Sequence, residues 1–141
     1  MQMKSPLALA VLSVATAAFA GGQQVTLEVS KDAKSMLVRT FRCGTPSKIS
    51  VQVTAEGLLN GERRTLPLEV QATSEPGVFL VARQWPAEGA WVLTATARGE
   101  GSVSTLVRLA PGAKLEIVSQ RMTHAAMDET QVAAALRPSG S

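Results

Sequence analysis

The chain has 141 residues, a formal net charge of +3, a mean hydropathy of +0.13, one His, one Cys and no Tyr. So small a positive balance gives no electrostatic case for nucleic acid. A single Cys excludes an intrachain disulfide, so the fold must rest on packing.

The N-terminus reads MQMKSPLALAVLSVATAAFAGGQQ. One cation, Lys4, precedes an apolar stretch from Pro6 to Phe19 that ends in Ala18-Phe19-Ala20. A cationic head, an apolar run and small residues at a cleavage point make a secretory signal peptide over 1–20. The apolar run falls short of the roughly 20 residues that span a bilayer. An uncleaved membrane anchor is the competing reading, and Gly21 rather than Cys stands directly after Ala20, so no lipid is expected there. Removing Lys4 lowers the net charge by one. What remains, Gly21 to Ser141, fits one domain able to bury a real core. Lys31, Lys34, Arg39, Arg42 and Lys48 lean basic against Glu28 and Asp32, which reads as a solvated face or a site for an acidic partner.

Short alternating runs follow in chain order. QVTLEV and SMLVRTF come first. KISVQVT sets Ile49, Val51 and Val53 against Ser50, Gln52 and Thr54, and TLPLEVQ aligns Leu66, Leu68 and Val70. VFLVARQW, AWVLTATA, SVSTLVRLA and KLEIVS complete about eight segments. Period two marks half-buried antiparallel strands. Asn60-Gly61 signals a two-residue hairpin, because both residues tolerate positive φ. Glu75-Pro76-Gly77 suits a type II turn, and Gly99-Glu100-Gly101 and Pro111-Gly112 close two more strands. Short strands with regular turn signals predict an all-β, immunoglobulin-like antiparallel β-sandwich of seven or eight strands over 21–120. The tail, 121–141, is helical or flexible: Thr123 or Asp128 can cap a helix of about ten residues, Val132 and Leu136 share a face, and Pro138 ends it.

EPGVFLVARQWPAEGAW, Glu75 to Trp91, holds Phe79, Trp85 and Trp91. Phe79 and Val81 share a face, as do Trp91 and Leu93. Aromatics at period-two positions are core residues burying about 150–250 Å² each, whereas a ligand platform needs exposed rings. The same stretch resembles the motif of YtkA-like and FixH-like extracytoplasmic bacterial domains. It matches their Pro-Gly-aromatic, strand, Pro-x-x-Gly-x-Trp pattern at Pro76, Gly77, Phe79, Pro86, Gly89 and Trp91, within about 45–110. The resemblance implies an immunoglobulin-like fold and a periplasmic or secreted location, with a distant likeness to CopC-like copper carriers. Those carriers use histidines, one at the mature N-terminus. Gly21-Gly22-Gln23 stands there in this chain, so that site is not carried over.

Chemistry-bearing residues are sparse. His124, Cys43, Asp32 and Asp128 fall in no spacing that builds a triad or a Cys–His pair, and no Gly-rich loop opens a helix. The expectation is a non-enzymatic module that binds another extracytoplasmic protein through a sheet edge or its loops. The alternative is a copper carrier or an assembly factor for metal sites or respiratory complexes. RMTHAAM supports that alternative, because the thioethers of Met122 and Met127 and the imidazole of His124 suit Cu(I). On a helix, His124 and Met127 would share a face, and Met36 or Cys43 could add a ligand. The competing reading packs the Met side chains on the sandwich and leaves His124 in water. Cys43 is a small buried hydrophobe, or else pairs with another chain or serves a redox role.

Overall fold

A computed structural model describes residues 23–41, 49–99 and 101–137. The expectations for the signal peptide, Cys43 and Pro138 lie outside these residues.

The elements run β1 (Gln24–Val29), β2 (Ser35–Phe41), β3 (Ser50–Leu59), β4 (Glu62–Leu68), β5 (Gln71–Ala72), β6 (Val78–Ala82), β7 (Ala90–Arg98), β8 (Ser102–Leu109), β9 (Ile117–Thr123) and α1 (Glu129–Leu136). Two antiparallel sheets stack, ordered β1-β2-β6-β5 and β4-β3-β7-β8-β9. This is an immunoglobulin-like sandwich with a C-terminal helix. Its first sheet has the A-B-E-D order and its second extends the C′-C-F-G order by one strand. Among the described residues no helix is long and apolar enough to cross a membrane.

The turn chemistry is as expected. Asn60 (φ 53°) and Gly61 (φ 78°) make the two-residue link between Leu59 and Glu62, which pair directly. Two positive φ values match the right-handed twist of the flanking strands. Gly77 (φ 80°) closes the turn in which the Val78 N–H donates to the Glu75 carbonyl at 3.2 Å.

Alternation also delivers the core. Val25, Leu27, Met36, Val38 and Val81 from the first sheet meet Val53, Ala55, Leu93, Ala95, Ala97, Val103 and Val107 from the second. Phe79 packs on this cluster, and Trp85 and Trp91 are both buried. The aromatic stretch is therefore core and corner. Trp91 lies opposite Gly57, and its indole N–H donates to the Glu88 carbonyl at 2.8 Å.

Several expected strands have other bounds than the alternation gives: KISVQVT runs on to Leu59, and KLEIVS starts only at Ile117 and extends to Thr123, into the expected tail. TLPLEVQ divides because the chain crosses from β4 in one sheet to β5 in the other. VFLVARQW ends at Ala82 because the next two side chains turn to backbone. Gln84 accepts from the Glu69 N–H at 2.9 Å and donates to the carbonyls of Glu69 and Ala82. Arg83 donates to the carbonyls of Trp85, Pro86, Gly112 and Ala113, at 2.7 to 3.3 Å, with its guanidinium 5.5 Å from the Trp85 ring centre. One cation thus ties the 83–86 corner to the β8–β9 loop.

The β1–β2 turn is held by Asp32, whose Oδ1 accepts from the Ser30 hydroxyl and from the Lys34 N–H at 3.0 Å. These bonds, Ser30 first, keep the carboxyl below its ordinary value of 3.8. Lowering a carboxyl on folding adds stability that is present above the unfolded value and is lost as pH falls through the folded one. An NMR titration is expected to show the Lys34 amide moving with a midpoint below 3.8. A midpoint at or above that value would contradict the assignment.

Candidate interaction edge and groove

A sheet edge presents unpaired N–H and C=O groups, so a two-sheet fold must deal with four of them. Here three are closed or blunted. At β1, the Leu27 backbone points away from β2. Its N–H donates to Gln120 Oε1 at 2.9 Å, and its carbonyl accepts from Gln120 Nε2 at 3.0 Å. The Thr105 hydroxyl donates to the Val25 carbonyl beside it. One amide and one hydroxyl from the second sheet thus occupy three of the free groups of β1. At the far side of that sheet, β5 is only two residues long. At β4, Pro67 lacks an N–H, and three of the seven residues, Glu62, Arg63 and Arg64, are charged. Arg63 pairs with Glu56 and Glu129, both at 2.9 Å, and its guanidinium is held above its ordinary value first by the Glu129 hydrogen bond.

The fourth edge, β9, is different. It has seven residues and no Pro, and among the described residues no strand pairs with its far side. Val118 is 55% exposed and Met122 37%. A register shift between Arg108 and Leu109 leaves Val118 unpaired as a bulge. The bulge carries Gln120 onto the inner face, opposite Val107, from where it reaches β1. It also places Ser119 and Arg121 on the outer face, opposite Arg108 and Leu106.

The helix packs on that outer face. Asp128 caps it in a reciprocal box: its carboxylate accepts from the Gln131 N–H at 2.9 Å, and Gln131 Oε1 accepts from the Asp128 N–H at 3.2 Å. Such a box satisfies two of the orphan donors of the first turn. Val132 and Leu136, four apart as expected, bury against Val92 and Leu106. The helix has eight residues, from Glu129 to Leu136, because Asp128 rather than Thr123 is the cap. Between it and the β8–β9 surface runs a groove of about 430 Å³ lined by Leu106, Arg108, Arg121, Met127, Ala134 and Ala135, among others.

The residues considered for Cu(I) are spread over these surfaces. Met122 lies opposite Thr105, on the inner-face side of β9. Met127 packs on the outer-face cluster with Val92 and Leu106. His124 is exposed in the bend between β9 and the helix, and Met36 is fully buried between the sheets. His124 and Met127 both precede the helix, so no helical face presents them together. Among the described residues no three His, Cys, Asp or Glu side chains cluster.

Sequence reading did not find Gln120, Arg108 or Arg121. Alternation from Leu115 and Ile117 would place residue 119, not 120, inward, and only the bulge reverses it. The arginines sit on two strands whose adjacency the spacing does not state. No family model, no curated protein and no solved structure matches this chain.

Proposed function

We propose that this chain is an exported, non-enzymatic immunoglobulin-like module that binds an extended segment of another extracytoplasmic protein along β9. The observation that carries the reading is the asymmetry of the edges. The fold closes β1 with side chains from its own second sheet, shortens β5 and blunts β4, yet leaves β9 long and apolar at Val118 and Met122. Strand addition supplies affinity through main-chain bonds and specificity through alternate side chains. Export rests on the N-terminal pattern of Lys4, the apolar run and Ala18-Phe19-Ala20. The match at Pro76, Gly77, Phe79, Pro86, Gly89 and Trp91 supports kinship with YtkA-like and FixH-like domains. His124 and Met127 both precede the helix, so they do not share the helical face that motivated a copper role, and the edge reading is preferred.

Photocrosslinking in the native cell tests it. A benzophenone side chain at Val118 is expected to give one discrete adduct, and the same group at Thr65 on the β4 edge none. Equal adducts from both edges, or none from Val118, would overturn the proposal.

A further inference from the structure

The groove between the helix and the β8–β9 surface is chemically one-sided. Its apolar part is Leu106, Met127, Ala134 and Ala135, and its charged part is Arg108 and Arg121. Among the described residues no Asp or Glu lines it. Arg121 lies directly across from Leu106, so the cation borders the apolar floor. Arg121 is exposed and has no ion pair or side-chain hydrogen bond among the described residues. A guanidinium offers a planar fork that matches a carboxylate with two parallel bonds. The volume, about 430 Å³, falls in the range of small-molecule sites, which combine apolar walls with a few polar anchors.

We propose that this groove binds a small amphipathic carboxylate, with the apolar tail on Leu106, Met127 and Ala135 and the single negative charge on Arg121. One cation without an ion pair among the described residues matches a monoanion, and the described lining residues carry no acid to oppose it. The groove uses the outer-face side chain of Arg121, whereas strand addition would use the backbone of β9.

The test uses decanoate and 1-decanol, below their aggregation limits, titrated into the isotope-labelled mature chain and followed by NMR at the Met127 methyl, the Leu106 methyls and Arg121 Nε. Decanoate is expected to give saturable one-to-one shifts at these groups, with 1-decanol binding about tenfold more weakly, the effect of one exposed charge-assisted contact. Arg121→Gln should weaken decanoate by a similar factor and leave 1-decanol unchanged. Ala134→Trp, at an exposed helix position, should fill the groove and abolish both. Absence of saturable shifts, equal affinity for the two probes, shifts confined to other surfaces, or unimpaired binding in Ala134→Trp would each overturn the proposal.

Discussion

Gly57→Ala is expected to destabilise the domain by about 3 kcal/mol, at the upper end of what one added methyl costs in a packed core. Gly57 sits mid-strand in β3, directly across from Trp91. A Cβ built there would lie 2.5 Å from Trp91 Cε3 and Cζ3 and 2.6 Å from Cδ2. Real Cβ atoms do not approach a ring so closely, so the indole would have to move. It is poorly placed to do so, being 4% exposed and tied by its N–H to the Glu88 carbonyl. Glycine in a strand normally weakens it, and here its value is the space it leaves for a large ring. Equilibrium urea unfolding measures the effect. A change below about 0.5 kcal/mol would be that of an ordinary surface substitution, and would mean that Trp91 does not lie over Gly57. Trp91→Ala is expected to cost about 3–5 kcal/mol. Because the two residues touch, the double variant should lose less than the sum.

Gln120→Ala should have two consequences. It removes both bonds to Leu27 and leaves a part-buried N–H and C=O without protein partners. That costs about 2 kcal/mol, within the range for unsatisfied backbone groups. It also reopens the β1 edge, and an unpaired edge recruits strands from other copies. Concentration-dependent association by analytical ultracentrifugation is therefore expected alongside the lower urea midpoint. Gln120→Glu retains an acceptor for the Leu27 N–H but loses the donor to its carbonyl, so an intermediate loss is expected. A variant as stable and monomeric as the parent would show that the amide does not close this edge.

The two sheets were largely legible because half-burial writes itself into alternation. Trp91, Leu93, Ala95 and Ala97 form one face of β7 and enter the core together. Asn60-Gly61 and Pro76-Gly77 were legible because their backbone angles restrict which residues fit. The helix face of Val132 and Leu136 could be read from its spacing, and Asp128 from capping chemistry. Strand order could not be read, since alternation says which face is buried and not which neighbour a strand takes. The open edge and the groove both depend on that order. Gln120 was hidden for a further reason: a single bulged residue flips every later side chain, and nothing in IVSQRMT marks Val118 as the extra one. Gly57 lies beyond the KISVQVT alternation, in the part of β3 that the pattern did not mark, and its partner Trp91 lies on another strand.

The fold closes its β1 edge with its own side chains, and among the described residues no strand pairs with the far side of β9. Native-state amide hydrogen exchange by NMR tests it without any knowledge of a partner. In the parent chain the Leu27 amide is expected to be strongly protected although it points away from β2. Alternate amides between Ser119 and Thr123 should exchange rapidly, and Gln120→Ala should release Leu27 while its neighbours bonded to β2 stay slow. A Leu27 amide exchanging at the unprotected rate in the parent, or uniform protection along all of β9 in the free monomer, would contradict the claim.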